Sequence, residues 1–129
     1  MAVNQGLALT EEQRDLQGTL RDFLTDRLPS AALRAAIETE QGYDAGLWRR
    51  MAKELGLAGL CVPEEYGGLG LGLQEAAIVH QELGRALDPG PFLANSLATT
   101  ALLASGDTAA CKQRLPDLAE GESIGAFAA

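Results

Sequence analysis

The sequence predicts an all-α domain of about six helices, in an orthogonal or up-and-down arrangement, with the start of a β-strand at its C-terminal end. Apolar residues recur at helical spacing in six segments, and glycine or proline separates these segments. Only 5% of the residues are aromatic although 47% are hydrophobic, so the core must consist mainly of leucine and alanine, which favour helices. A chain of 129 residues is the size of one ordinary domain.

Three helices are predicted in the first half of the chain. A capping box at residues 10–13 begins the first helix, and Pro29 ends it. Ser30 is predicted to cap the second helix, and Asp44 the third. The short apolar segment 57–62 is either extended or a single turn.

The second half of the sequence predicts three more helices and then a segment without helical periodicity. The fourth helix covers residues 73–86, and the fifth begins at residue 91 or 92 and ends at 104. Asp107 is predicted to cap the sixth helix, which Pro116 should interrupt or restart because proline lacks the backbone N–H. Residues 122–129 carry no helical stripe and favour the opening of a strand.

Charge and cysteine content narrow the classes of partner. The net charge of −8 disfavours nucleic acid and anionic membrane surfaces, because the chain gains nothing from neutralising phosphates. Cys61 and Cys111 lie far apart without a neighbouring cysteine, which is typical of a reducing compartment.

The first residues lack a basic start followed by a long apolar run, so we expect no signal peptide and a cytoplasmic protein. No metal site is predicted.

The glycine-rich segment CVPEEYGGLGLG, residues 61–72, has two interpretations. A dinucleotide loop would need G-x-G-x-x-G between a strand and a helix, followed by a second strand, and a P-loop would need GK[ST]. The sequence has G-x-G-x-G and no second strand, which favours a compact connection between helices. In that interpretation Pro63 holds the preceding residue extended, Gly67 and Gly68 permit positive φ, and the glutamates are solvated or cap helix ends.

These residues also carry a resemblance to a known family. The segment LGLAGLCVPEEYGGLGLGLQEAAIVHQELGRAL resembles the signature of the acyl-CoA dehydrogenases, in which PEEYGGxG joins two helices of the N-terminal helical domain. LTEEQRDLQGTLRDFL and LWRRMAKELG resemble the first and third helices of that domain. The similarity covers nearly the whole chain, and it implies a helical domain at residues 1–121 and the opening strand of a following β domain at 122–129.

The resemblance implies a flavoenzyme that uses FAD to oxidise an acyl-CoA thioester to the 2,3-enoyl-CoA. In that family a glutamate removes the α-proton, a hydride passes to the flavin, and an electron-transfer flavoprotein receives the electrons. The family's catalytic glutamate lies in a C-terminal helical bundle that this sequence does not contain. We therefore expect no catalytic residue in this chain, and no activity from it alone.

Two groups of site residues follow from the resemblance. PFLANSLA matches the segment that lines the far end of the acyl pocket, which implies substrate contacts from Leu93, Ala94 and Leu97; ordinary helix-core residues are the alternative. GAFAA matches the strand that contacts the isoalloxazine, which implies cofactor contacts from Phe127 and Ala129. The chain alone is not expected to hold FAD, and the sequence favours no one of fatty, branched or steroid-like acyl groups.

His80 departs from the family pattern, which often has an acidic residue at this place. We expect His80 and Glu82 to lie on a partly exposed helix face, with packing favoured over proton transfer. The second interpretation of the chain is a non-enzymatic helical interaction module, or a diverged partner subunit without flavin. We expect a homo- or hetero-oligomer.

Overall fold

The computed structural model describes residues 8–128, and within that range it contains helices and no strand. A π-helical stretch, Arg50–Glu54, continues the third α-helix, and two 3₁₀ turns, Leu57–Gly59 and Glu64–Tyr66, lie in the connection to the fourth. The prediction of an all-α domain with about six helices is confirmed. The six α-helices of the described residues are α1 (Glu11–Arg27), α2 (Ser30–Ile37), α3 (Ala45–Arg49), α4 (Leu73–Arg85), α5 (Phe92–Ala104) and α6 (Thr108–Glu120).

The predicted strand opening is not formed in the described residues. Residues 124–128 have no regular secondary structure, and Ala129 lies outside the described residues. A strand needs a neighbouring strand to receive its backbone hydrogen bonds. A strand at 122–129 therefore stays a prediction.

Side-chain caps fix three of the helix starts as predicted. The Thr10 hydroxyl accepts from the Gln13 N–H at 3.1 Å, and the Gln13 side-chain oxygen accepts from the Thr10 N–H at 3.0 Å. Asp44 accepts from the first N–H groups of α3, and Asp107 accepts from the Ala110 N–H of α6 at 3.0 Å. Each cap satisfies backbone donors that have no partner inside the helix.

Two predictions about helix ends are wrong. Ser30 does not cap α2: the helix already begins at Ser30, Pro29 occupies the cap position, and no side chain bonds the first turn. Pro116 does not interrupt α6, which continues to Glu120. Pro116 and Lys112, whose carbonyl loses its helical partner, are both exposed, so water can solvate that carbonyl. Packing of α6 on both sides of Pro116 offsets the remaining loss of helix stability.

The core has two parts. The larger joins α1, the α3 segment, the turn at Leu57–Gly59 and α4, and the smaller lies around α6. The larger part contains Leu20, Leu24, Leu28, Leu47, Trp48, Met51, Ala52, Leu57, Ala58, Leu60, Val79, Leu83 and Phe92. The smaller contains Val62, Cys111, Leu115, Leu118 and Ala119.

An ion pair between the buried Glu82 and the partly exposed Arg21 joins α1 to α4, and it corrects the expectation for Glu82. The Glu82 side chain is 1% exposed, and both of its oxygens accept from the Arg21 guanidinium, at 3.0 Å from Nε and 2.7 Å from Nη2. Arg85 adds a longer contact of 3.9 Å. The hydrogen bonds from Arg21 hold the pKa of Glu82 below its ordinary value, against the opposing effect of burial.

The glycine-rich segment folds back on the residues that precede it. The N–H groups of Leu69, Gly70 and Leu71 donate to carbonyls of residues 59–62, at 2.8–2.9 Å. Gly67 adopts a φ of +89°, as predicted. Gly68 does not have positive φ; it is needed because a Cβ there would overlap the carbonyl of Val62.

The backbone geometry of the glycine-rich segment does not support a nucleotide-binding loop. A phosphate cradle needs free backbone N–H groups. In residues 67–71 every N–H donates to a backbone carbonyl of residues 59–64. The segment is therefore a structural connection, and Glu64 and Glu65 are exposed to solvent as expected.

We expect Glu82→Gln to lower the free energy of unfolding at neutral pH by about 1–3 kcal/mol, because the amide cannot pair both oxygens with Arg21. Since the pKa of Glu82 is lowered in the folded state, the stabilisation is complete above the unfolded-state value of about 4.3 and is lost as the pH falls through the folded value. The difference between the proteins, measured by urea unfolding at decreasing pH, should therefore shrink in that range. Glu40→Gln, at an exposed turn, is the control; an equal pH dependence in both variants would contradict the assignment.

We expect Gly68→Ala to destabilise the fold by about 1–3 kcal/mol, because the added methyl group forces the backbones of Gly68 and Val62 apart. The control is Gly84→Ala on the exposed side of α4, where a Cβ meets nothing within 4 Å. That variant should stabilise the helix by about 0.5–1 kcal/mol. Thermal unfolding followed by circular dichroism measures both. Equal melting temperatures for the two variants would show that the close approach at Gly68 is unimportant.

Candidate functional site

An apolar cavity of about 210 Å³ lies between α4, α5 and the segment that follows α3. Leucine, alanine and phenylalanine form most of its wall, and polar atoms come from one histidine, one cysteine, one serine and two threonines. Such a wall suits a hydrocarbon group with a few polar substituents. The lining residues are Leu57, Ala58, Leu60, Cys61, Leu73, Ala76, His80, Phe92, Leu93, Ser96, Leu97, Thr99 and Thr100.

Helix α5 places exposed leucines on this cavity. Pro91 precedes its first turn, and Phe92 is buried where the helix begins. Leu93 and Leu97 are one turn apart on the same face, and they are 58% and 48% exposed. Together with Leu73, which is 79% exposed, they form an apolar rim on the solvent side of the cavity.

The structure separates the three predicted acyl-pocket residues. Leu93 and Leu97 line the cavity, and Ala94 is half-buried and is not among its lining residues. Ala94 follows Leu93 by one position, and successive side chains on a helix point about 100° apart. The two leucines are therefore the better placed of the three to contact a ligand in this cavity.

His80 is a lining residue whose contribution the sequence reasoning missed. Its Nδ1 lies 2.8 Å from the carbonyl oxygen of Ala76, one turn earlier in α4. Its ring contacts the Phe92 ring edge-on, with the centroids 4.8 Å apart. Nε2 is buried and has no hydrogen-bond partner among the described residues. A buried polar atom without a partner costs about 1–3 kcal/mol, and Nε2 is the one such side-chain atom among the described residues.

Cys61 also lines the cavity, and its thiol is not activated. Its Sγ lies 3.4 Å from the carbonyl oxygen of Gly72. Burial, with a smaller contribution from the charge of Glu75, raises the pKa of the thiol. The neutral thiol therefore predominates at neutral pH, and Cys61 acts as a small apolar wall residue.

The chain that follows α6 is attached to the other side of α5. Asn95 is 1% exposed; its Oδ1 accepts from the Gly125 N–H at 2.9 Å, and its Nδ2 donates to the Leu118 carbonyl at 3.4 Å. A Cβ at Gly125 would lie 2.5 Å from the Cβ of Ala98, so only glycine allows this approach. A polar residue in the apolar sequence of α5 was the available signal for this role, and sequence reasoning did not use it.

The two predicted flavin contacts are not brought into an enclosed site. Phe127 is 56% exposed, and Ala129 lies outside the described residues. The residues present could form one wall beside a flavin ring, through the anchored backbone at Gly125 and the Phe127 side chain. They would border the ring on one side and would not surround it.

The buried carboxylate of Glu82 is not free to act as a general base. Glu82 lines a separate cavity of about 320 Å³ with Arg21 and Arg85, but both of its oxygens accept hydrogen bonds from Arg21.

Residues 8–128 contain no group of three or more His, Cys, Asp or Glu side chains placed to hold a metal ion. Over the same range, no helix combines the length and apolar character that a membrane crossing requires.

Known proteins match both the sequence and the fold. Residues 10–122 match the family described as "Acyl-CoA dehydrogenase, N-terminal domain". The chain is 47% identical over 117 residues to the protein named acyl-CoA dehydrogenase IpdE2 of Mycobacterium tuberculosis, covering 91% of this chain and 36% of that protein. The chain thus spans about a third of the length of this curated relative.

Two solved structures share the fold. One is a variant of the Tcur3481–Tcur3483 steroid ACAD, with a TM-score of 0.79 and 36% identity, covering 88% of this chain and 31% of that chain. The other is the ChsE4–ChsE5 complex from Mycobacterium tuberculosis, with a TM-score of 0.81 and 28% identity, covering 91% of this chain and 32% of that chain. With a family match over nearly all of the described helices, the chain belongs to the acyl-CoA dehydrogenase family, whose N-terminal domain it forms.

Proposed function

We propose that this chain is the N-terminal domain of an FAD-dependent acyl-CoA dehydrogenase that oxidises an acyl-CoA thioester to the 2,3-enoyl-CoA. In this proposal the cavity between α4 and α5 receives the part of the acyl group remote from the reacting carbons. The observation that carries it is the apolar wall with its rim of exposed leucines, Leu73, Leu93 and Leu97. Such a concentration of exposed leucine around a cavity is expected where an apolar ligand or another part of a protein covers it.

The role of the chain is to bind and orient, and to exclude water from the acyl group. Burial of hydrocarbon against Leu93, Leu97 and Phe92 supplies binding energy of about 25 cal/mol for each Å² of apolar surface. When bound, the flavin would accept the hydride; Phe127 and Ala129 are the residues proposed to border it. The catalytic base would come from outside these 129 residues, because both oxygens of Glu82 are already bonded to Arg21.

Ala94 is kept in the proposal as a secondary contact. It lies beside Leu93 on α5 and is half-buried, outside the lining of the cavity. It would contact substrate only if the acyl group extends past the rim around the helix. Leu93 and Leu97 are therefore the primary residues that set the depth of the pocket.

A bulky, steroid-like acyl group is the substrate class we favour. One of the solved structures that share the fold is a protein described as a steroid ACAD, and it is 36% identical to this chain. The cavity of about 210 Å³ is smaller than the 300–1,000 Å³ common for complete ligand pockets, so it would hold one end of such a group. The CoA part would lie elsewhere in the complete enzyme.

The proposed partners are an electron-transfer flavoprotein and a second acyl-CoA dehydrogenase chain. The names of both solved proteins pair two gene products, Tcur3481–Tcur3483 and ChsE4–ChsE5, which supports a hetero-oligomer. The same observation supports the second candidate function, a partner subunit that has no flavin of its own.

Cys61 and Cys111 are both free, which suits a reducing compartment such as the cytoplasm.

We expect substitutions at Leu97 to change acyl selectivity in opposite directions. Leu97→Phe should lower kcat/KM for bulky acyl-CoA thioesters and spare short ones, and Leu97→Ala should do the reverse, because each methylene in an apolar pocket is worth about 1–3 kcal/mol of discrimination. The measurement is a series of acyl-CoA thioesters with the complete enzyme that contains this domain. Ile37→Phe, at a residue that is 52% exposed and lies outside the cavity lining, is the control. Parallel changes across the whole series would contradict the pocket assignment.

We expect the isolated chain to show no saturating change when it is titrated with FAD, because the described residues form at most one wall of a flavin site. The complete assembly should carry flavin, visible in its absorption spectrum. An assembly that forms with this chain but contains flavin only in the partner's site would favour the second candidate function. Stoichiometric flavin on the isolated chain would contradict the prediction.

A further inference from the structure

We propose that Ser96 selects for an oxygen substituent on the acyl group, with its hydroxyl bonding a hydroxyl or ketone of the part bound in the α4–α5 cavity. The inference deepens the proposed function and rests on it, since it assigns a chemical feature to the group that the cavity receives. Ser96 lies on α5 between the two rim leucines, Leu93 and Leu97, and it is half-buried in the lining of the cavity.

The position of Ser96 around the axis of α5 directs its side chain toward the cavity. Successive residues on an α-helix are turned by roughly 100°, so Ser96 projects between Phe92 and Leu93 when the helix is viewed along its axis. Phe92 is 4% exposed and forms the buried side of this arc, and Leu93 is 58% exposed and forms the rim. All three residues line the same cavity, so the side chain between the other two points toward the space that they enclose.

The Ser96 hydroxyl is accessible and makes no hydrogen bond within the part of the chain that the structure describes. Helical hydroxyls often donate to a carbonyl three or four residues earlier. Thr25, Thr99 and Ser105 do so at 2.6–3.0 Å, and Ser96 does not. Among the described residues, the one buried side-chain nitrogen or oxygen atom without a partner is Nε2 of His80. The unbonded oxygen of Ser96 is therefore open to a ligand.

The other polar side chains of the lining are less suited to bond a ligand. The Cys61 thiol and the Thr99 hydroxyl each contact a backbone carbonyl, and Nε2 of His80 is buried. Thr100, one turn after Ser96, is exposed, so water can bond its hydroxyl whether or not the cavity is filled. Ser96 is therefore the hydroxyl that a ligand in the cavity would both cover and bond.

Hydrocarbon and oxygen differ in what they do to this hydroxyl. A hydrocarbon group excludes the water that Ser96 would otherwise bond and leaves the hydroxyl unpaired. A ligand ketone accepts from the Ser96 hydroxyl, and a ligand hydroxyl either accepts or donates. A site with such a polar group rejects analogues that leave it unpaired. The preferred acyl group therefore carries a hydroxyl or ketone that reaches Ser96, within hydrocarbon that contacts Leu93 and Leu97.

The test measures dissociation constants of CoA thioesters by calorimetry, with the complete enzyme that contains this domain kept reduced so that no thioester is oxidised. The probes are thioesters of cyclohexyl-alkanoic acids of increasing chain length. Each is used unsubstituted, and with a hydroxyl group or a ketone at the ring position farthest from the chain. Leu97→Phe first identifies the chain lengths whose ring reaches the cavity, because its larger side chain should weaken their binding.

At those chain lengths, Ser96→Ala should weaken the hydroxyl and ketone probes about two- to tenfold, the range expected for one net hydrogen bond. The unsubstituted probe should bind as before or more tightly. Alanine favours the helix and removes only the hydroxyl, so a loss confined to the oxygenated probes does not arise from unfolding. Ser30→Ala, at an exposed residue outside the lining, is the matched control and should change none of the three.

Failure of this inference differs from failure of the proposed function. If Ser96→Ala weakens all three probes equally or affects none, the role of Ser96 is overturned, and the cavity stays an acyl site as long as Leu97→Phe weakens binding. If Leu97→Phe weakens binding at no chain length, the cavity receives no acyl group, and both proposals fail.

Discussion

The ion pair between Arg21 and Glu82 is the constraint on which the arrangement of the helices depends. A carboxylate that is 1% exposed is tolerated only when its oxygens are paired, and the two-pronged contact with one guanidinium requires a single rotation of α4 against α1. With this rotation fixed, Val79 and Leu83 face the larger core, and Ala76 and His80 face the cavity.

Helix α5 serves two surfaces because its sequence is apolar nearly all round. Its outer face contributes Leu93 and Leu97 to the cavity rim, and its buried face carries Asn95, which bonds the chain that leaves α6. The same helix therefore fixes both the proposed acyl site and the direction in which residues 122–128 depart. In the proposed enzyme, the rigid helix α5 would therefore set the position of the acyl group relative to Phe127 and the flavin.

The glycine-rich connection supports the third wall of the cavity. Its backbone donates to the carbonyls of residues 59–62, which holds the segment with Leu60 and Cys61 in place between α4 and α6. A side chain at Gly68 would break this contact, so the glycine is required by the approach of two backbone segments. The most recognisable motif in the sequence is thus a structural connection beside the cavity, and the leucines proposed to contact a ligand, Leu93 and Leu97, lie on α5.

The sequence by itself determined the helical class, the helix ends with their own caps or glycines, and the family. These features depend on residues within a few positions of one another, such as Thr10 with Gln13, or on a motif that is continuous in the chain. The tertiary structure decided that Glu82 is buried, that Pro116 is accommodated, that Nε2 of His80 lacks a partner and that Asn95 anchors the chain at Gly125. The partner of Glu82 lies 61 residues away and that of Asn95 lies 30 residues away. Helical periodicity indicates which residues share a face, but which face meets another helix, and with what partner, is set only when the helices pack.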